Sequence, residues 1–264
     1  MKITVFTSNN LRHNFLIKSL LNVCTELYVI QENKTIFPNL VTGQYKTSST
    51  SKKYFNNVNK AQQLIFKDNC LKFNNKKIHY MPLGIGDLNF CTMDKLKEFL
   101  KSDLYIVFGS SYIKNDLAKF LVRKKAINIH MGISPFYRGT DCNFWALFDN
   151  NPHLVGATIH RLSLGLDSGP ILYHALSTPK KNLFLYSMNT VYSAITSLTQ
   201  KINDRSIFDI RPKLNNKSEL IRYSRKKEFS DSTINKFYKL NIDMQFKFNN
   251  DNYINPFILK NIIK

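Results

Sequence analysis

The run Leu104-Tyr-Ile-Val-Phe108 limits the fold more than any other stretch of the chain. Five consecutive apolar residues without polar alternation describe a strand covered on both faces, and such strands belong to parallel sheets flanked by helices. The neighbouring sequence agrees. Ile3 to Phe6, Leu27 to Gln31, Ile78 to Met81 and residues 126–131 read as further short strands. Between them lie amphipathic stripes: Leu16, Leu20, Val23; Val58, Ala61, Leu64, Ile65; Met93, Leu96, Phe99, Leu100; and Leu117, Phe120, Leu121. The second of these is expected to pack on the sheet, while residues 32–57 before it read as polar and irregular. Short apolar strands alternating with amphipathic helices predict an α/β fold, a Rossmann-like, doubly wound and mostly parallel sheet. In such sheets ligands bind beyond the carboxyl ends of the strands. A long helix with Phe184, Met188, Val191, Ile195 and Leu198 on one face closes a principal domain, 1–203. Periodicity then fades, so 204–264 is expected to be a short C-terminal extension packed on that domain.

Polar residues concentrate where the sheet should bind. Asn128 and His130 sit two apart in Ala126-Ile-Asn-Ile-His-Met131, so on a strand they face one way while Ile127 and Ile129 face the other. Two polar side chains on one face of a buried strand require partners or a ligand. A Pro- and Gly-broken loop, Gly132 to Gly139, follows, then a second strand, Val155 to Leu162, and the loop Gly165-Leu-Asp-Ser-Gly-Pro170 with the acid Asp167. An amide, an imidazole and a carboxylate on strand-end loops form a workable acid/base set. Each also has an ordinary explanation: a turn-capping Asn, a structural His, a turn acid. Thr158 and His160 share one strand face and divide evenly between ligand-side and structural roles. Trp145, His153 and His174 read as structural.

Taken together, Asn128-x-His130, Ser134-Pro135, Arg138-Gly139, Gly156-Ala-Thr-Ile-His160 and Gly165-Leu-Asp-Ser-Gly-Pro-Ile171 closely resemble the formyltransferases that use 10-formyltetrahydrofolate. That family includes glycinamide ribonucleotide, methionyl-tRNA and sugar N-formyltransferases. The resemblance spans residues 104–172 and implies a 10-formyltetrahydrofolate donor, an amine acceptor and no metal. It implies catalytic roles for Asn128, His130 and Asp167. By position it assigns donor contacts to Ser111, Tyr112, Ile113, Leu166, Ser168 and Gly169, and acceptor contacts to Arg12, His13, Arg138 and His160. For Arg138 a loop-holding role competes with contact to acceptor phosphate, and Ser134-Pro135 is a candidate cis peptide.

The acceptor is narrowed by what is missing. The first turn, Thr7-Ser-Asn-Asn10, lacks the glycines that the glycinamide ribonucleotide enzymes carry there, and the residues beyond 203 are too few for the C-terminal domain of the methionyl-tRNA enzymes. The expected acceptor is a small, phosphate-bearing amine, an amino sugar on a nucleotide; a silent RNA- or nucleotide-binding protein on the same scaffold is the rival from another class. The net charge of +20 would suggest RNA, but the excess is spread along the whole chain in Lys- and Asn-rich runs such as Asn74-Asn75-Lys76-Lys77, so RNA is not favoured. A homodimer is the expected assembly. Cys24, Cys70, Cys91 and Cys142 are scattered, without a Cys-x-x-Cys pair for zinc or a disulfide framework. No apolar run is long enough to span a membrane, and a cytoplasmic protein is expected.

Overall fold

The computed structural model describes residues 1–33, 48–67 and 75–260. In chain order the elements are β1 (Lys2–Ser8), α1 (Leu11–Leu21), β2 (Glu26–Asn33), α2 (Ser49–Phe66), β3 (Ile78–Gly84), α3 (Met93–Leu96), β4 (Leu104–Phe108), α4 (Asn115–Arg123) and β5 (Ile127–His130). Then come β6 (Tyr137–Gly139), α5 (Cys142–Phe148), β7 (Ala157–Arg161), β8 (Ile171–Ser177), α6 (Leu183–Asn203), β9 (Arg222–Ser224), α7 (Asp231–Phe237) and β10 (Phe257–Leu259). Eight strands form one sheet in the order β10-β8-β7-β5-β4-β1-β2-β3, and β6 pairs with β9 in a second, two-stranded one.

Five neighbouring strands, from β3 to β5, are parallel. Their side chains alternate between two helix layers: Ile3 and Val5 of β1 pack with Leu16 and Leu20 of α1 and with α6, while Phe6 faces Leu117 and Leu121 of α4. Burying the α6 stripe Met188, Val191, Ile195 and Leu198 stabilises by about 1.5–3 kcal/mol per side chain. β1 lies between β2 and β4, so the chain winds outward from β1 on one side and then on the other. The reversal opens a crevice at the carboxyl ends of β1 and β4. The fold is the α/β, mostly parallel sheet the sequence predicts.

Several details differ from the sequence reading. β7 runs antiparallel to both β5 and β8, because it is joined to β8 by the short loop that carries Asp167. β3 continues through Pro82 to Gly84, which an edge strand tolerates because one row of N–H groups has no ladder to join. Residues 49–57, read as irregular, are the first half of α2. Ser48 caps that helix by accepting from the Ser51 N–H at 3.0 Å, and both hydroxyls donate to Asp231 Oδ1 of α7, at 2.6 and 3.0 Å. α2 packs on α6, α1 and α7 instead of the sheet, and Leu64 points to solvent, 62% exposed. The extension beyond 203 is woven into the principal domain: β10 extends the main sheet beside β8, β9 pairs with β6, and Ile234 and Phe237 of α7 join a core with Phe144, Trp145 and Tyr186. Cys70 and the Asn74 end of the Lys/Asn-rich run lie outside the described residues.

Candidate active site

The crevice is built from the first turns after β1, β2, β4 and β5. Asn10 opens α1, its backbone N–H reaching His13 Nδ1 at 3.4 Å. The His13 ring is buried edge-on against Phe108, with centroids 4.9 Å apart. Gly109 makes that approach feasible: its φ is +73°, and a Cβ there would sit 2.4 Å from His13 Nε2. Glu32, at the end of β2, is 2% exposed and accepts from the Gly86 and Ser111 N–H groups at 2.8 and 2.5 Å, tying two loops together. Half-buried Arg12 donates to Gln62 Oε1 at 2.6 Å; burial lowers its pKa to about 10, so it stays charged at neutral pH.

Antiparallel pairing of β5 with β7 sets Asn128 opposite His160 and His130 opposite Thr158. His160 Nδ1 lies 2.8 Å from the Arg161 carbonyl, which can only accept, so the proton is on Nδ1 and Nε2 is left as an acceptor. Asn128 therefore turns its Nδ2 toward it, at 3.0 Å. One amide hydrogen is fixed in this way and the other remains for the cleft. Burial holds the His160 pKa down to about 4, which keeps the ring neutral and the arrangement constant. Thr158 serves the neighbouring loop, donating to the Gly132 carbonyl at 2.5 Å and accepting from Ser134 N–H at 2.9 Å, beside the cis Ser134-Pro135 peptide. His174 Nε2 donates to the Ser134 carbonyl on the same loop at 2.8 Å while its Nδ1 accepts from Ile254 N–H at 2.9 Å.

His130 and Asp167 form a buried ion pair, Nδ1 to Oδ1 3.3 Å, with exposures of 7% and 9%. His130 Nε2 lies 3.3 Å from the Tyr137 carbonyl, so both ring nitrogens face acceptors, as an imidazolium requires. Burial by itself would deprotonate the ring, but the Asp167 charge, aided by Cys142 beside it, raises the His130 pKa well above its usual value. Burial would likewise protonate Asp167, yet His130, together with the Gly139 N–H, holds that carboxyl below its usual value. Buried pairs are weak evidence of stability, since desolvation offsets much of their attraction; in a cleft, such mutual perturbation makes the pair a candidate for chemistry. The set offers hydrogen-bond donors to an oxygen gaining negative charge and a carboxylate to accept a proton.

Two clefts meet at this pair. One, about 360 Å³, is lined by Ser8, Asn10, Arg12, His13, Glu32 and Phe108 among others. The other, about 390 Å³, is more apolar, with Val107, Ile113, Leu162 and Leu166 beside Asn128 and His160. Both include Ser111, His130 and Asp167. Of the residues assigned to the donor, Ser111, Tyr112, Ile113 and Leu166 line the second cleft, while Ser168 and Gly169 line neither. Ser168 bonds Ser163 at 2.9 Å, and Gly169 lets the loop pass Arg161, whose carbonyl would lie 1.7 Å from a Cβ. Of those assigned to the acceptor, Arg12 and His13 line the first cleft, and His160 lies instead on the second. Arg138 lines neither; it is 7% exposed and donates to the Leu166 carbonyl at 2.7 Å, so it holds the Asp167 loop. Glu32 went unnoticed in the sequence, although an acid closing an apolar strand of such a sheet was a usable signal.

Residues 93–182 match the family model described as formyl transferase. Comparison with curated proteins finds no match. Among solved structures, the phosphoribosylglycinamide formyltransferase from Anaplasma phagocytophilum aligns with a TM-score of 0.51 and 16% identity, over 81% of this chain and 93% of that one. A sugar N-formyltransferase from Shewanella sp. FDAARGOS_354 aligns at 0.47 and 14%, over 81% and 73%. The formyltransferase PseJ from Anoxybacillus kamchatkensis, solved with UDP-4,6-dideoxy-4-formamido-L-AltNAc and tetrahydrofolate, aligns at 0.46 and 18%, over 90% and 97%. The family match falls on the segment that carries Asn128, His130 and Asp167, so that segment of the chain is similar to the formyl transferases.

Proposed function

We propose that this enzyme moves a formyl group from 10-formyltetrahydrofolate to the primary amine of a nucleotide-linked amino sugar. The observation that carries the reading is the junction of two unlike clefts at His130 and Asp167, with Asn128 on the wall of the apolar one. The apolar cleft suits a flat pterin, its amide edges meeting the backbone of 109–113. The polar cleft, with the cation Arg12 at its side, suits a phosphate-bearing acceptor. The neutral amine attacks the formyl carbon, forming a C–N bond and a tetrahedral intermediate with an oxyanion. The free Asn128 amide hydrogen stabilises that oxygen, and the His130 imidazolium adds its charge; each such donor contributes a few kcal/mol. Asp167 accepts the proton that the amine loses, directly or through water. Collapse breaks the bond from carbon to N10, and N10 takes up one proton as tetrahydrofolate leaves.

The first turn supports the sugar acceptor over glycinamide ribonucleotide because Thr7-Ser-Asn-Asn10 offers no glycine backbone to wrap a phosphate. The test offers the donor together with UDP- and dTDP-amino sugars, glycinamide ribonucleotide or methionyl-tRNA, and measures tetrahydrofolate and the formylated product by mass. Turnover confined to nucleotide amino sugars is expected. Turnover with another acceptor would replace the sugar, and none with any amine would remove the reaction.

A further inference from the structure

The acid of the site sits on an unusual support. Asp167 has φ +46°, a left-handed conformation uncommon outside glycine, which Asp and Asn adopt more readily than other residues with a side chain. Its loop is fastened from several sides. Tyr112 Oη donates to the Leu164 carbonyl at 2.6 Å, and Arg138 to the Leu166 carbonyl at 2.7 Å. The fastening on Asp167 itself comes from far along the chain, where Asn215 Nδ2 donates to its carbonyl at 3.0 Å. Residues 213–215 run alongside the strand that follows the loop. Lys213 and Ile171 exchange both backbone hydrogen bonds, at 2.7 and 2.8 Å, which fixes the register, and the next residue, Leu214, is 86% exposed. The alternation turns Asn215 inward. Its Oδ1 is buried without a hydrogen-bond partner among the described residues.

We infer that Asn215 is a positioning residue of the active site: by holding the Asp167 peptide in its left-handed turn, it keeps the carboxylate in contact with His130. The segment beyond 203 is thereby part of the site and not an appendage. The inference rests on the formyl-transfer reading for what Asp167 does, but the contact it explains is measurable without any substrate. The groups facing His130 are Asp167 from the loop, Cys142 from α5 and His160 from β7, with Arg138 of β6 near His160.

The experiment follows the His130 ring by ¹⁵N NMR across pH in the full chain labelled at histidine. Wild type, Asn215→Ala, Leu214→Ala and Asp167→Asn are compared. Asn215→Ala should move the His130 titration downward, toward that of Asp167→Asn, whereas Leu214→Ala should leave it in place. Asn215→Ser, which stays polar but is too short to reach the carbonyl, repeats the measurement if the alanine variant does not fold. Once an acceptor is known, Asn215→Ala should lower kcat about tenfold, the loss of about 1.4 kcal/mol, with both KM values unchanged. A His130 titration that stays at the wild-type position in folded Asn215 variants overturns the inference. If the titration moves but wild type formylates no amine, the positioning stands and the reaction assignment falls.

Discussion

At the residue scale the chemistry depends on which hydrogens and charges are already committed. Asn128 has one amide hydrogen on His160 and one free, so Asn128→Ala removes both the donor and the feature that orients it. A loss of about 10²–10³ in kcat is expected, with the variant still folded though less stable, since the buried His160 Nε2 loses its donor; wild-type turnover in the purified variant would exclude it from the mechanism. For His130 and Asp167 the pH behaviour follows from their opposite shifts. Asp167, held below its usual value, favours folding above its unfolded pKa, and that contribution is lost as pH falls through the lowered one. His130, raised, contributes fully below its unfolded pKa, and the contribution is lost as pH rises through the raised one. Activity that needs the pair should therefore form a plateau across neutrality. In Asp167→Asn, burial acts on His130 against Cys142 alone, and a pH–rate profile should lose its alkaline side first. Arg12 and Arg138 separate two uses of arginine. Arg12→Ala should raise the acceptor KM by roughly the 1.5–3 kcal/mol of a charge-assisted contact and leave that of the donor alone. Arg138→Ala should lower kcat through the loop, so steady-state kinetics with each substrate varied separately tells them apart. Asn128 and His130 were legible in the sequence because a period of two needs only neighbours. The role of His160 and the direction of Arg138 were not, because they depend on an antiparallel register and a loop contact set by residues far along the chain.

At the element scale, local pattern was readable wherever an element was long and leaned on the sheet. The α6 stripe is of that kind, and the β4 run was readable because all five of its residues are apolar and buried. The first half of α2 is not: Ser49-Thr-Ser-Lys-Lys-Tyr-Phe-Asn-Asn57 contains few helix formers, and it is helical because of what lies beyond it. Tyr54 packs edge-on against Phe144, Phe184 and Phe229 with centroids 5.1–5.6 Å apart, and Asp231 receives the Ser48 and Ser51 hydroxyls. The three-residue strands β9 and β10 are too short to carry a period, yet they tie the C-terminal segment to both sheets. Asp231→Ala should destabilise by about 1–3 kcal/mol, since two hydroxyls lose their acceptor, whereas Leu64→Ala, on the solvent side of α2, should stay within about 0.5 kcal/mol. Denaturant midpoints measured side by side decide this, and equal midpoints would mean that α2 does not depend on α7.

At the scale of the whole molecule, charge and site are separate facts. The net +20 comes from 38 basic residues distributed throughout the sequence, while the crevice mixes signs. Arg12 and the His130 imidazolium stand beside Glu32 and Asp167 in the same cleft. A surface evolved to hold a polyanion would carry its cations along one face leading into the site; here the crevice that the sheet's strand order creates is close to neutral in its fixed charges. RNA should therefore bind through diffuse phosphate contacts alone. Log affinity should fall steeply and linearly with log salt, with a slope of about −0.9 per neutralised phosphate for duplex regions, and methionyl-tRNA should bind no better than an unrelated RNA of equal length. Gel-shift titrations of both RNAs at three salt concentrations test this. Tight binding selective for the tRNA at physiological salt would mean that the basic excess is organised after all, and would move the acceptor from a sugar nucleotide to the aminoacyl end of a tRNA.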